Sequence, residues 1–185
     1  MVEPLCGVRG NRALSSVLVL CVAAAAAPLF ALELRGRNVF VRPPSEVRLI
    51  TYSSTTWSPS EYFLTIEMPP EADAPLGALT IRQIGGVDRK FPFFVDRTRA
   101  FLGRPRQEGR EVPVEVRFVS SERLFALAFP EAIAPGSTMS VALVPWLNPS
   151  QADVYAFEVI AYPAGMNPEA SPVGVVNLRI YDPFD

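Results

Sequence analysis

The chain has 185 residues, of which 49% are hydrophobic, and its 17 basic and 19 acidic side chains give a formal net charge of −2. It contains no histidine, which excludes Ser-His-Asp and Cys-His catalytic groups as well as the HExxH zinc motif. The length predicts one domain rather than two. Any chemistry must come from carboxylates, hydroxyls, arginines and tyrosines.

The N-terminal segment predicts export. Residues 13–32 carry no charge, Arg9 and Arg12 precede them, and small residues lie near their end, which is the layout of a secretory signal peptide. We therefore expect residues 1–31 to be a signal peptide cleaved after Ala31. The alternative is an uncleaved membrane anchor, because about twenty apolar residues suffice to cross a bilayer.

Both cysteines, Cys6 and Cys21, lie within this N-terminal segment. Its removal would leave residues 32–185 without a thiol, and hence without a disulfide or a thiolate metal site. No internal repeat or linker divides residues 32–185, so we expect them to form a single β-sandwich domain.

From residue 37 onward, apolar residues recur with period two and are interrupted by proline or turn residues, as in short half-buried strands. Tyr62, Leu64, Ile66 and Met68 share one face of such a strand. The pattern predicts an all-β fold: an antiparallel, immunoglobulin-like two-sheet sandwich of eight or nine short strands after an N-terminal apolar helix. The candidate strands cover residues 38–41, 47–52, 62–68, 78–84, 91–95, 112–118, 124–129, 139–144, 154–162 and 173–181.

The clearest predicted hairpin covers residues 112–129. Its first strand, 112–118, alternates apolar and polar positions, and the polar residues 120–123 turn the chain back. Pro135 and Gly136 then predict a type II turn, because proline presets φ at the second position and glycine accepts the positive φ at the third.

Positive charge concentrates in residues 82–110, which hold eight basic and three acidic side chains. Arg97, Arg99, Arg104 and Arg106 are the candidate binding residues for an anion or a partner, because arginine suits phosphates, headgroups, acidic glycans and acidic protein surfaces. The alternative interpretation is a solvated loop in which Asp96 pairs with Arg97 or Arg99. A net negative chain disfavours nucleic acid.

Aromatic residues and carboxylates give two further hypotheses. Four aromatic side chains are candidates for a platform that stacks against sugar rings, or for ordinary core packing: Trp57, Tyr62, Trp146 and Tyr155. Trp57 lies in a Ser/Thr-rich loop and is the best candidate for an exposed aromatic residue. A catalytic carboxylate pair, such as Asp96 with Glu67, would be needed for a hydrolase of the glycosidase type.

Four sequence motifs carry a resemblance to a known family. They are PPEADAPLGALTI at 69–81, FPFFVDRTRAF at 91–101, PGSTMSVAL at 135–143 and AYPAG at 161–165. In these the sequence resembles a cyanobacterial family of exported proteins known only as a domain of unknown function (number twenty-eight-oh-eight). The resemblance implies an exported protein of the periplasm or thylakoid lumen, and it supplies no catalytic signature.

These observations predict a non-enzymatic exported interaction module with a protein partner in the envelope or lumen, such as an accessory subunit of a membrane complex. No catalytic residue, cofactor or metal site is expected, and membrane association would involve residues 13–32. One alternative is a module that binds an anionic glycan or lipid headgroup through the arginine-rich segment 82–110. The other is a carboxylate-dependent hydrolase.

Overall fold

The structure is a computed structural model that describes residues 33–34 and 36–184. In these residues the regular structure consists of β-strands and two short 3₁₀ helices, at Pro70–Ala72 and Val95–Arg97. The strands are β1 (Glu33–Leu34), β2 (Arg37–Asn38), β3 (Glu46–Thr51), β4 (Tyr62–Glu67), β5 (Leu76–Gln83), β6 (Arg99–Arg104), β7 (Gln107–Val112), β8 (Glu115–Val119), β9 (Leu124–Ile133), β10 (Thr138–Leu143), β11 (Asp153–Pro163) and β12 (Ser171–Ile180).

Ten of these strands form two five-stranded antiparallel sheets. Sheet 1 has the order β3-β4-β10-β6-β7, and sheet 2 has the order β12-β11-β5-β9-β8. The short strands β1 and β2 pair with each other outside these sheets, and Asn38 of β2 also forms an isolated parallel bridge to Pro168. The predicted all-β, immunoglobulin-like two-sheet sandwich is therefore confirmed, with ten strands in the sheets instead of eight or nine.

The core lies between the sheets and follows the alternation of the sequence. In β11, Tyr155, Phe157 and Val159 are buried while the residues between them are partly exposed, as expected when successive side chains point to opposite faces. β4 differs, because Phe63 and Thr65 on its outer face are buried as well. Something must therefore cover the outer face of sheet 1.

The cover is the β6–β7 hairpin, which the sequence analysis treated as part of a solvated loop. The backbone carbonyl of Gly103 accepts a hydrogen bond of 2.8 Å from Ser140 Oγ, a side chain of β10 that points away from the core. Ser140 Oγ and Thr65 Oγ1 are 2.8 Å apart beneath it. The ladder between β6 and β7 shifts register between Phe101 and Gly103, where Gly103 has a φ of +99°. This bulge bends the hairpin over the sheet.

Three predicted strands required correction. The predicted strand 112–118 is divided, because Val112 ends β7 in sheet 1 and the chain passes through Pro113 into β8 of sheet 2. The hairpin itself is confirmed by the β8–β9 ladder. Residues 91–95 form only one isolated bridge, between Phe93 and Pro145, and residues 38–41 contribute only Asn38 to a strand. Proline explains the first two cases, since it cannot donate to a ladder.

The Pro135–Gly136 turn is confirmed. Gly136 has a φ of +78°, and Ser137 N donates to Ala134 O at 3.3 Å. This turn connects β9 of sheet 2 to β10 of sheet 1, at the end of the sandwich opposite the β10–β11 loop.

The N-terminal part of the described chain lies at this same end. Asn38 Nδ2 donates to Ala164 O at 3.0 Å, and Glu169 N donates to Asn38 O at 2.9 Å, so the segment packs on the β11–β12 turn. The predicted signal or anchor, 1–31, lies outside the described residues, as does the apolar stretch 13–32. Among the described residues, no helix has the length and hydropathy needed to span a membrane.

Candidate functional site

Three loops meet at the end of the sandwich opposite to Asn38. They are residues 52–61 between β3 and β4, 84–98 between β5 and β6, and 144–152 between β10 and β11. Between them lies an open cleft of about 760 Å³, here called the Trp cleft; its size falls in the range of roughly 300–1,000 Å³ usual for ligand sites. The cleft is lined by Trp57, Val87, Asp88, Arg89, Lys90, Phe91, Pro92, Trp146, Leu147, Asn148, Ser150 and Gln151.

Trp57 is displayed at the rim of this cleft. Its side chain is 64% exposed, and its backbone has a φ of +59°, a conformation that a bulky residue adopts only at a cost. Backbone contacts hold it there: Trp57 N is 3.4 Å from Pro149 O, and the hydroxyls of Thr55 and Ser58 bond to each other. The backbone at Trp57 is thus held in position, and the indole is left open to solvent.

Asn148 fastens the two tryptophan-bearing loops together. Its side chain is buried, its Nδ2 donates to Ser53 O and Thr55 O at 3.1 and 2.8 Å, and its Oδ1 accepts from Tyr62 Oη at 2.7 Å. Its backbone N also donates to Ser58 O at 2.8 Å. Because burial raises the pKa of Tyr62, the phenol stays protonated and acts as the donor. All polar atoms of the Asn148 side chain are therefore used for structure.

Asp88 provides the second connection, between loops 84–98 and 144–152. Its Oδ2 accepts hydrogen bonds from Ser150 N and Ser150 Oγ at 3.0 and 2.8 Å, and its Oδ1 accepts from Lys90 N at 2.9 Å. Burial alone would raise the pKa of Asp88, but the hydrogen bonds from Lys90 and Ser150 outweigh it and lower the pKa. Asp88 is therefore an ionised structural group in this loop contact.

Trp146 forms the facing wall of the cleft. Its indole stacks on the Phe94 ring with centroids 5.3 Å apart and an interplanar angle of 21°, and it remains 56% exposed. The Arg97 guanidinium lies 4.1 Å from the centroid of the same Phe94 ring. Trp146 N donates to Pro92 O at 3.0 Å. Stacking on Phe94 and this backbone bond hold the second indole in place.

A buried arginine supports the floor of the cleft. Arg123 is almost fully buried, and its guanidinium carbon lies 4.4 Å from the centroid of Phe91, with Phe93 and Phe118 also within cation–π distance. It donates to Phe91 O at 2.8 Å and to Gln83 Oε1 at 3.0 Å. Burial lowers the pKa of Arg123. The polar pattern of residues 120–123 predicts only that this residue lies in a turn, and nothing in a single sequence marks its burial.

Two of the four predicted binding arginines are paired with carboxylates. Arg99 makes a bidentate contact with Glu108, at 2.7 and 3.1 Å, and lies 4.0 Å from Glu61. Arg104 pairs with Glu67, which joins the β6–β7 hairpin to β4. The alternative pairing of Asp96 with Arg99 is wrong, since Arg99 turns toward the hairpin instead.

The other two predicted arginines stack on aromatic rings. Arg97 lies on Phe94, so the alternative pairing of Asp96 with Arg97 is wrong as well. The Arg106 guanidinium lies 4.1 Å from the centroid of Tyr52. Each of the four candidate side chains therefore already has at least one partner within the chain, and each one helps to hold the loops or the hairpin in place.

The four aromatic candidates separate into two pairs. Tyr62 and Tyr155 are buried in the core, whereas Trp57 and Trp146 are exposed at the Trp cleft. The carboxylates proposed as a catalytic pair are also apart, because Glu67 ends β4 at the far end of sheet 1 while Asp96 lies in the 3₁₀ helix at the cleft end. Among the described residues that line the cleft, Asp88 is the one carboxylate.

Metal ligands do not cluster in the described part of the chain, where no group of three or more His, Cys, Asp or Glu side chains is placed to hold an ion. The cleft lining instead offers two indoles, further apolar side chains and two basic residues. Such a lining suits binding of an apolar or aromatic group that carries negative charge.

Fold and cleft together define an antiparallel β-sandwich domain with an aromatic cleft between its loops. The chain belongs to the family described as "Protein of unknown function (DUF2808)", whose model matches residues 37–180. The family resemblance drawn from the four motifs is confirmed in this respect. No curated protein matches the chain.

Several solved structures are similar to this chain at low sequence identity. The collagen-binding subdomain of the Enterococcus faecalis surface protein ACE is 11% identical over 75% of this chain and 97% of its own, with a TM-score of 0.46. BcpA, the major pilin subunit of Bacillus cereus, is 7% identical over 74% of this chain and 40% of its own, with a TM-score of 0.49. A cohesin module from a Clostridium perfringens family 33 glycoside hydrolase is 11% identical over 76% and 99%, with a TM-score of 0.46.

Proposed function

We propose that this chain is a non-enzymatic, exported interaction module that binds a protein partner through the Trp cleft. The observation that carries the proposal is the pair of exposed indoles of Trp57, whose backbone is held at a positive φ, and Trp146, which stacks on Phe94. Tryptophan dominates the binding energy of protein interfaces because it buries a large area with little loss of side-chain freedom. An exposed indole held in a costly backbone conformation therefore favours a binding role over a packing role.

The position of the cleft supports a role beside a membrane. The apolar stretch 13–32 precedes β1, and the segment that follows β1 packs at the opposite end of the sandwich from the cleft. A retained anchor would therefore direct the cleft away from the bilayer, and a cleaved signal would release the domain. Both forms fit an accessory subunit of a complex in the periplasm or in the thylakoid lumen of a cyanobacterium.

The alternative, a module for anionic glycans or lipid headgroups, has less support. It requires Arg97, Arg99, Arg104 and Arg106 to offer their charge outward. Two of them already bind carboxylates at close range, which offsets the positive potential available to an external anion. The hydrolase alternative has less support again, because its example pair, Asp96 and Glu67, lies at the two ends of sheet 1.

The test is site-specific photo-crosslinking in the exporting host. A benzoylphenylalanine placed at Trp57 should yield crosslinked adducts with protein in intact cells, since that side chain lies at the proposed interface. The matched control is Met166, which is 81% exposed on the β11–β12 turn at the opposite end. Equal crosslinking from both positions, or none from position 57, would contradict the proposal. Mass spectrometry of the same purified protein establishes whether residues 1–31 are removed.

A further inference from the structure

We propose that the partner at the Trp cleft is a second copy of this chain, which inserts its segment Tyr181–Phe184 while receiving the same segment in return. This inference rests on the proposed function, because it names the partner of the same cleft. Three observations support it. The segment exposes an aromatic ring and a carboxylate, the cleft is lined by aromatic and basic side chains, and both lie at the same end of the molecule.

The inserted segment has a defined and exposed shape. Phe184 N donates to Asp182 Oδ1 at 3.0 Å across Pro183, which makes a compact turn. The turn presents the Phe184 ring, which is 95% exposed. An aromatic ring displayed beside a carboxylate is therefore available for contact with another molecule.

The cleft complements this segment. Its lining includes Phe91, Pro92 and Leu147 together with the two indoles, and such a lining accepts an aromatic ring. The edge carries Arg89 and Lys90, which favour a carboxylate such as that of Asp182.

The polar groups of the cleft argue against a neutral sugar. Asn148 uses its side-chain polar atoms for Ser53, Thr55 and Tyr62. Asp88 binds Ser150 and Lys90 N. Sugar hydroxyls need convergent polar groups in addition to a stacking surface, and Asn148 and Asp88, two of the polar residues that line the cleft, already have partners within the chain.

The location permits a closed pair. Tyr181 N donates to Ser54 O at 2.8 Å and Thr56 N donates to Tyr181 O at 2.9 Å, so the segment starts beside the loop that bears Trp57. Segment and cleft therefore lie at the same end of the molecule. Two copies that meet end to end can exchange segments about a two-fold axis. The two segment-to-cleft contacts are then identical, both clefts are filled, and the assembly is a closed dimer.

The experiment measures mass in solution by sedimentation velocity on the protein purified after export. It covers concentrations from about 1 to 100 µM, because an interface made by two short exchanged segments would belong to the weak class. The wild-type protein should dimerise. Phe184→Ala and Trp57→Ala should each raise the dimer Kd tenfold or more, while Met166→Ala at the opposite end should leave it unchanged. Thermal unfolding followed by circular dichroism checks that each variant is folded.

Mixing the two variants, Phe184→Ala and Trp57→Ala, provides the decisive test. Phe184→Ala retains its cleft and Trp57→Ala retains its segment, so the mixture should form heterodimers at concentrations where each variant alone is monomeric. A wild-type monomer at 100 µM, or a dimer unaffected by Phe184→Ala, would overturn the inference. So would Trp57-dependent binding of cellohexaose by a monomer. Crosslinking from position 57 to a different protein, with the wild type monomeric, would reject the second copy while leaving the proposed function intact.

Discussion

Replacing Asn148 by alanine tests whether the Trp cleft is built by one buried amide. The change removes the two donors to Ser53 O and Thr55 O and the acceptor for the Tyr62 hydroxyl. Ser53 O keeps hydrogen bonds from Thr51 Oγ1 and Ser60 Oγ, so it loses little. The Tyr62 hydroxyl is the buried group that loses its partner.

The expected loss of stability follows from these contacts. A buried donor left unsatisfied costs about 1–3 kcal/mol, and the loss of the two Nδ2 bonds adds roughly 1 kcal/mol more. Asn148→Ala should therefore lower the free energy of unfolding by about 3 kcal/mol. For a chain of this size that corresponds to a fall in Tm of roughly 6–12 °C.

A double-mutant cycle with Tyr62→Phe isolates the bond between the two side chains. Tyr62→Phe alone leaves Asn148 Oδ1 unsatisfied, whereas in the Asn148→Ala background it removes a hydroxyl that has already lost its partner. The two effects should therefore fall short of additivity by about 1–2 kcal/mol. Urea unfolding of the four proteins measures the coupling. Additive effects within about 0.5 kcal/mol would refute the reasoning.

Two further predictions concern the loops around the cleft. Gly86 has a φ of +104°, and a Cβ there would lie 2.2 Å from Tyr155 Cδ1, whereas a Cβ at Gly136, with a φ of +78°, has no neighbour closer than 3.8 Å. Gly86→Ala should therefore lower Tm clearly more than Gly136→Ala in calorimetry, and equal effects would contradict the clash. Asp88→Asn should lower the free energy of unfolding, and this effect should be largest above pH 3.8, the usual pKa of the Asp88 carboxyl. Because the folded pKa is lower, the difference from wild type should shrink as pH falls through it, and urea midpoints between pH 3 and 6 measure this.

The two-sheet architecture could be predicted from the sequence because it depends on the alternation of apolar and polar residues along the strands. The inward residues of β4 and β11 occupy positions i and i+2, and the Pro135–Gly136 turn has a local conformational cause. Strand boundaries failed where tertiary contacts decided them. Val112 belongs to one sheet and Val116 to the other. The alternation of apolar and polar residues continues through Pro113 between them, so the pattern does not show that the chain changes sheets there.

The site was only partly readable. Trp57 stood out because a tryptophan in a Ser/Thr-rich loop has no strand face to pack on. The arginine-rich segment suggested four arginines available for an external partner. The sequence does not reveal that Arg99 and Arg104 are paired with glutamates within the chain. Asn148, Asp88 and Arg123 act through partners far away in the chain, and only the folded structure brings those partners together.

The β6–β7 hairpin limits how this molecule can be approached. By lying across the outer face of sheet 1 it converts a flat surface that holds Phe63 and Phe101 into an interior layer. That side then presents the charged edge strand β7 to its surroundings, which discourages strand-to-strand stacking. Under the proposed function the domain would meet its partner through the loop end that bears the Trp cleft, and the covered face of sheet 1 would remain outside that interface.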